Sequence, residues 1–402
     1  MSVSHAAVVG SDAVVGVLGL PQVLPGAGAV RELVKMFERV TDPRDRRGVR
    51  HRLATILTVA VFAVLAGARN YRQVGDRVAD LPQSLVALAG GRACPALGVV
   101  EAPSGSTIRR VLTVVDADAA DRVVGSWLAS LLGSDDRRLV GVAMDAKTVC
   151  NAATADGDVQ LFAAMAHGVA VVLGQVRVPV GTTETTQVRT LLDGLDLTGR
   201  VITADAAHAQ QDTADYVVFE RGGDYILQVK ANQPEVLRQI AAVMPPAVVA
   251  GADWSETEQR DGDTIRRSIW VVDADRVDFP EVSRVFRVLR ERFDPFGVRV
   301  SKEVVHGVTS LPSHRATPAQ IAGFVRAHWG IENLVHWSRD VVFGEDVQGA
   351  YIGNGPQSMA ILRNLVLALF RLAGISQVKR LTESIAADRM RILPVLAVAL
   401  KQ

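Results

Sequence analysis

The chain has 402 residues, 49% of them hydrophobic, which is enough to bury more than one core. Its formal net charge of +1 excludes a uniformly basic polyanion binder, so any affinity for nucleic acid must come from local patches. The two cysteines, Cys94 and Cys150, give neither a metal-ligand spacing nor a disulfide framework, which fits a reducing, cytoplasmic compartment.

The first 29 residues are apolar and Gly-rich, lack a basic start and contain Asp12, so they read as a loosely ordered leader and not as a secretory signal. Residues 30–136 read as a helical domain, with helix patterns over Ala29–Val40, Leu53–Ala68, Tyr71–Leu81 and Asp118–Leu132. Leu53–Ala68 is the longest apolar run, but it falls short of the roughly 18 residues that suggest a membrane span and is flanked by Arg52 and Arg69. It is expected to be a buried helix. Just before it, Arg44, Arg46, Arg47, Arg50 and Arg52 crowd together with Asp45 as the only acid among them, a cluster suited to phosphate contact or simply to a solvated basic loop. Ser104 to Thr107 can cap a short helix, Ile108–Val115, that carries Arg109 and Arg110 as further candidate DNA contacts.

From Leu139 to Lys230 the pattern alternates. A strand runs to Asp145, others cover Val159–Ala166 and Val169–Val178, and a helix lies near Thr186–Leu195. A strand ending at Asp205, a helix near Gln211–Arg221 and a strand at Asp224–Val229 complete the series. Residues 246–314 read as a β-rich insertion with hairpin chemistry, Trp254–Arg260 and Thr264–Val272 flanking Asp261-Gly262-Asp263. Arg266 and Arg267 on one of its strands are placed to track DNA, while Trp254 and Trp270 suit core packing. Pro318 to Phe343 is helical, helix returns at Gly355, and residues 376–402 form a basic helical tail.

Three acids stand out in this frame. Asp145 closes the apolar run from Leu139, Asp205 closes the run from Val201, and both are expected at strand ends. Glu332 lies on the late helix, where His328, Glu332 and Arg339 share a narrow arc if each residue advances by about 100°. Three carboxylates from three elements can converge on hard divalent cations, which prefer oxygen ligands. Two such ions, roughly 3.5–4 Å apart, serve in-line displacement at phosphorus. Lys147, two residues past Asp145, projects to the same side of its strand and is a candidate phosphate contact, with an ordinary exposed lysine as the alternative. His208, three residues past Asp205, belongs either over the same cleft or on the surface. His328 and His336 flank Glu332 without the H-E-x-x-H spacing of a zinc hydrolase.

Three strands leading into alternating helix and strand is the order of the ribonuclease H-like fold, in which a late helix brings a further acid beside the first strand. The chain also resembles the DDE transposases of bacterial insertion sequences, in the branch that includes the H-repeat-associated proteins. The resemblance runs from about Arg31 to Gly374. It is carried by DPRDRRGVRHRLATILTVAVFAVLAGARNYRQV (Asp42–Val74), VLGQVRV (Val172–Val178), LDLTGRVITADAAHAQ (Leu195–Gln210), GGDYILQVKANQP (Gly222–Pro234), RAHWGIENLVHWSRDVVFGED (Arg326–Asp346) and GNGPQSMAILRNL (Gly353–Leu365).

The resemblance implies an α/β chain whose ribonuclease H-like catalytic domain comprises 137–245 and 315–375. The β-rich insertion interrupts that domain, the helical DNA-binding domain precedes it and the basic tail follows. It further implies Asp145, Asp205 and Glu332 as the catalytic triad holding two Mg²⁺ or Mn²⁺ ions. The implied partners are the element's terminal repeats and target DNA, with at least a homodimer on DNA and a cytoplasmic, nucleoid-associated location. A broader transposase signature of Tyr, Arg and Lys around the Glu corresponds here to Val325, His328 and Arg339. The chain departs from the family at Ala146, where Gly is usual, and at Val149-Cys150-Asn151, where Leu-Arg-Gly is usual. Those departures keep open a second reading, a transposase-derived DNA-binding protein that no longer transfers strands.

Overall fold

The structure is a computed structural model that describes residues 24–133, 139–154, 157–246 and 251–401. The expected leader lies outside the described residues as far as residue 23.

Helix α1 (Ala27–Glu38) buries Ala29, Val30, Leu33, Met36 and Phe37, the spacing of a single apolar stripe. Helix α2 (Leu53–Leu65) is apolar on every side and all of it is buried, so it forms the centre of the helical layer and not a surface element. Around it stand α3 (Tyr71–Ala79), capped by the Asn70 side chain, and α4 (Gln83–Leu88). A small hairpin of β1 (Arg92–Cys94) and β2 (Val99–Glu101) follows. Ser104 caps α5 (Gly105–Val114) by accepting the Thr107 N–H, as expected, and Asp116 caps α6 (Ala117–Leu132) in the same way.

One mixed sheet of nine strands carries the rest: β3 (Val140–Thr154), β4 (Gly157–Ala166), β5 (Val171–Val178), β6 (Arg200–Ala204), β7 (Asp224–Val229), β8 (Trp254–Arg260), β9 (Asp263–Asp273), β10 (Arg284–Phe293) and β11 (Arg299–Thr309). Their order is β5-β4-β3-β6-β7-β11-β10-β9-β8. The pairs β3–β6 and β6–β7 are parallel, and every other pair in this sheet is antiparallel. The strands of the expected insertion therefore prolong the main sheet. Strand β11 pairs with β7 from Thr309↔Ile226 to His306↔Val229, satisfying backbone groups that β7 would otherwise leave as an open edge. The β8–β9 turn has φ of 53° at Asp261 and 88° at Gly262, the left-handed pair that a two-residue hairpin needs.

Two layers cover the sheet. On one face, Val142, Met144 and Phe162 join a single apolar core with α1, α2 and the C-terminal helices α12 (Gly355–Leu372), α13 (Val378–Ala387) and α14 (Ile392–Ala399). The tail contributes to this core, since α14 buries Ile392, Leu393, Val395, Leu396 and Ala399. Gly125 allows α6 to lie against β5, because a Cβ there would stand 1.9 Å from the Leu173 carbonyl oxygen. The short helices α7 (Val188–Leu192), α8 (Gln211–Asp215) and α9 (Pro234–Val243) connect strands.

On the other face lies α10 (Pro318–His328), opened by a capping box between Thr317 and Gln320, with Ile321 and Val325 packed on Val201, Ile226 and Phe286. A π-helical turn (Ile331–His336) and α11 (Trp337–Val341) continue it, with Ile331 and Val335 against Ala143 and Met165. The late helical stretch is thus interrupted at Glu332. Among the described residues, no helix is long and apolar enough to cross a membrane.

Candidate active site

Side chains alternate along β3. Ala143 lies under the π turn while Val142 and Met144 enter the main core, so Asp145 faces the π turn. The strand does not end there, as the apolar run suggested. Its parallel partner β6 stops pairing at Ala143↔Thr203, but β4 pairs on past Asp145↔Ala163 and keeps the strand extended to Thr154. Asp145 therefore stands where one neighbour has left and the other remains. Asp205 follows β6 directly, and its Oδ1 accepts the Ala207 N–H at 3.0 Å to cap the 3₁₀ turn Ala206–His208. Gln233, just beyond β7, steadies that turn by donating to the Ala209 carbonyl at 2.8 Å. Glu332 is exposed on the π turn, which Ile331 and Val335 anchor to the sheet. It opens onto a cleft of about 400 Å³ between α10 and the strands β8–β11, lined also by Trp254, Glu258, Arg326 and Trp329.

The Asp145 carboxyl is pushed up to about 7, first by burial and then by the negative charges of Glu332, Glu184 and Asp205. The three expected acids thus share one electrostatic site, joined by a fourth that the strand and helix patterns did not single out. Glu184 begins the 3₁₀ turn Glu184–Gln187 after β5, and its Oε2 accepts from Gln160 at 3.3 Å. It is the only acid between β5 and Asp193, and that position was the available signal. His208 is fully buried, its ring stacked on Phe162 with centroids 5.0 Å apart and its Nε2 3.3 Å from Glu184 Oε1. Glu184, Asp205 and His208 bring ligand atoms within 4.8 Å of one another. On the other side of Asp145, His336 Nδ1 lies 3.5 Å from its Oδ2, and burial holds that imidazole neutral by lowering its pKa to about 3. Among the described residues, no lysine or arginine pairs with Asp145, Asp205, Glu332 or Glu184.

Several residues expected to face DNA lie elsewhere. Arg339 has no exposed surface: its guanidinium binds Glu345 Oε2 at 2.7 Å and donates to Gln175 Oε1 at 3.1 Å. The i→i+5 bonding of the π turn breaks the regular helical advance, so Arg339 does not keep its place in the Glu332 arc. His328 is also interior, its Nδ1 3.2 Å from Thr203 Oγ1, which meets His167 Nε2 at 3.0 Å. A side chain at residue 141 would displace His167, because a Cβ on Gly141 would stand 2.2 Å from its Nδ1.

Lys147 is tied to Asp340 at 2.9 Å and to Asp346 at 3.2 Å. Arg266 is bound by Glu291, and Arg267 by Glu256 and Glu258. Arg44 chelates Asp42 and donates to the His51 carbonyl, while Arg52 lies 3.7 Å from Glu38. Arg46, Arg47, Arg50, Arg109 and Arg110 are exposed with no ion pair among the described residues. Cys150 and Asn151 also have local roles. The Cys150 N–H donates to Asp346 Oδ1 at 3.2 Å, and Asn151, at φ 53°, donates its side-chain amide to the Asp346 carbonyl at 2.9 Å.

Residues 140–369 match the family described as "Transposase DDE domain", and residues 34–128 match the companion family "DDE_Tnp_1-associated". The chain belongs to the DDE transposase family. It is 26% identical over 392 residues to "Putative transposase YncI" of Escherichia coli O157:H7, covering 92% of this chain and 95% of that one. It is 25% identical over 385 residues to "H repeat-associated putative transposase YhhI" of Escherichia coli strain K12, covering 91% and 98%. A solved piggyBac transposase synaptic complex with hairpin DNA aligns at a TM-score of 0.38 and 11% identity, over 93% of this chain and 78% of that one. In this member of the family, the match to the DDE domain spans all three expected acids and Glu184.

Proposed function

We propose that this protein is a DNA transposase that binds the terminal inverted repeats of its element and cleaves and transfers their strands, with Asp145, Asp205 and Glu332 as the catalytic acids. The observation that carries this reading is that Glu332, Glu184 and Asp205 each act on the buried Asp145 carboxyl, in a DDE-family chain where, among the described residues, no lysine or arginine pairs with any of the four. Such a set fits hard divalent cations, and a cation would relieve the repulsion from neighbouring acids that helps to raise the Asp145 carboxyl. Two Mg²⁺ or Mn²⁺ ions bound there would activate the attacking oxygen and stabilise the leaving one.

The three carboxylates come from β3, the end of β6 and the π turn; β3 and β6 are neighbours in the main sheet, and the π turn packs on it through Ile331 and Val335. We assign 137–245 and 315–375 to a ribonuclease H-like catalytic domain, 246–314 to its β insertion and 30–136 to the DNA-binding domain. Arg46, Arg47, Arg50, Arg109 and Arg110, exposed and without an ion pair among the described residues, are the cations we assign to phosphate contact. In the reaction, water adds to the terminal phosphodiester and releases a 3′-hydroxyl. That hydroxyl then attacks a phosphodiester of the target and displaces its 3′-oxygen. Both element ends enter one complex, so at least a homodimer assembles on DNA, in the cytoplasm beside the nucleoid.

The test is nicking of a labelled terminal-repeat duplex in Mg²⁺ or Mn²⁺ by the wild type and by Asp145→Asn, Asp205→Asn and Glu332→Gln. Loss of nicking by orders of magnitude with DNA binding retained is expected, since the change removes charge and little shape. Nicking that survives in all three variants overturns the assignment. A second reading, a transposase-derived DNA-binding protein, is favoured by Cys150, whose exposed thiol stands where the family's usual arginine would place a cation. Specific binding without wild-type nicking would select it.

A further inference from the structure

We propose that Glu184, Asp205 and His208 form a mixed nitrogen and oxygen cation site, which takes Mn²⁺ in preference to Mg²⁺. This deepens the DNA-cleavage reading and rests on it for what the ion does, but not for whether the ion binds. The acids alone would not carry the proposal; His208 does. Its side chain is fully buried, neither ring nitrogen has a hydrogen-bond partner, and its Nε2 lies 3.3 Å from Glu184 Oε1. A buried imidazole normally has one nitrogen donating and the other accepting. Here neither makes a hydrogen bond, and Nε2 lies within ion-pair distance of a carboxylate.

The surroundings hold the donors ready. Phe162 stacks on the His208 ring with an interplanar angle of 5°, which fixes the ring plane. Gln160 engages Oε2 of Glu184 and leaves Oε1 facing the histidine. Asp205 uses Oδ1 to cap its own turn, which orients the carboxylate. Around an octahedral ion with bonds of about 2.1 Å, ligand atoms lie roughly 3 Å apart when adjacent and roughly 4.2 Å apart when opposite. The three ligand atoms already lie within 4.8 Å of one another, so small side-chain rotations close the set. Three protein donors leave positions for water and a phosphate oxygen. An all-oxygen set suits Mg²⁺, whereas an imidazole nitrogen shifts preference toward Mn²⁺ and the later divalent ions.

The experiment is Mn²⁺ titration of the full-length protein, followed by continuous-wave electron paramagnetic resonance for affinity and by pulsed resonance for nitrogen coordination. Bound Mn²⁺ is expected to show nitrogen modulation, which changes on labelling histidine with ¹⁵N and disappears in His208→Gln. Glu184→Gln should weaken Mn²⁺ binding by about tenfold or more. His336→Gln should leave the nitrogen signal intact, and so should Asp145→Asn and Glu332→Gln. Mn²⁺ bound without nitrogen modulation, a signal that moves with His336 instead of His208, or unchanged affinity in Glu184→Gln overturns the proposal. If His208→Gln does not fold, the ¹⁵N-histidine spectrum of the wild type and the Glu184→Gln affinity still decide it. The Asp145 and Glu332 variants test the catalytic reading through nicking, so the two readings fail separately.

Discussion

Lys147 Nζ lies 2.9 Å from Asp340 Oδ2, and this contact ties the strand that carries Asp145 to the helix that follows Glu332. Asp346 closes on the same ammonium at 3.2 Å and is itself held by the Cys150 N–H and the Asn151 side chain. The segment 147–151 therefore acts as a clasp between two parts of the site. Lys147→Met keeps much of the stem and removes the charge, leaving two carboxylates facing each other. A loss of roughly 1–3 kcal/mol in stability is expected from urea denaturation, and an unchanged midpoint would show that the clasp carries no energy.

Beneath the clasp, Glu345 lies between Arg339 and Arg363, with no exposed side-chain surface on any of the three. Burial would push the Glu345 carboxyl up, but the two guanidinium groups outweigh it and hold it down. Arg363 also donates to the Arg69 carbonyl at 2.8 Å, so the triad joins α11, α12 and the segment after α2. Glu345→Gln leaves two buried cations without their anion and should cost roughly 3–5 kcal/mol. Thermal melting of the variant checks this, and a melting temperature equal to that of the wild type contradicts it.

Asp121 on α6 is buried, and its Oδ2 accepts the Gln175 N–H at 2.6 Å. Burial pushes its carboxyl up to about 7, above the ordinary value of about 4. The folded protein thus keeps a proton that the unfolded chain releases. The stability this confers is complete below about pH 4 and is lost as the pH rises to about 7. In Asp121→Asn the amide oxygen keeps the hydrogen bond and nothing titrates. Stability of the variant relative to wild type should therefore rise by roughly 2–4 kcal/mol between pH 4 and pH 8. Denaturation curves for both proteins at the two pH values measure it, and parallel pH profiles would count against it.

Arg46, Arg47 and Arg50 project from the segment before α2 without carboxylate partners among the described residues. Each phosphate contact releases about 0.9 counterion from duplex DNA, so the triple Ala variant should flatten the slope of log affinity against log salt by about 2–3. Arg44→Ala, by contrast, removes a guanidinium already bound to Asp42 and His51 and should leave the slope unchanged. A triple variant that is folded and retains the wild-type slope removes the cluster from the DNA-binding surface.

Much of the fold was legible in the sequence because its signals are local. The stripe of α1, the uniformly apolar α2, the Ser104 cap, the Asp261-Gly262 turn and the strand at Asp224–Val229 each follow from residues a few positions apart. The three acids proposed as catalytic are each marked in the sequence by the run around them. What sequence could not decide was which charges remain free and how far each pairing extends. Asp145 reads as a strand end from its own side chain, yet β4 carries the strand onward. The insertion reads as a separate unit, yet the open edge of β7 draws β11 into the same sheet. Arg267 reads as a free cation until Glu256 and Glu258 meet it across the hairpin. Arg339 and Gln175, 164 residues apart, meet only in the folded core, as do Lys147 and Asp346, 199 apart. Periodicity depends on neighbours along the chain, whereas burial and ion pairing depend on neighbours in space, and those exist only after the sheet and its two layers have closed.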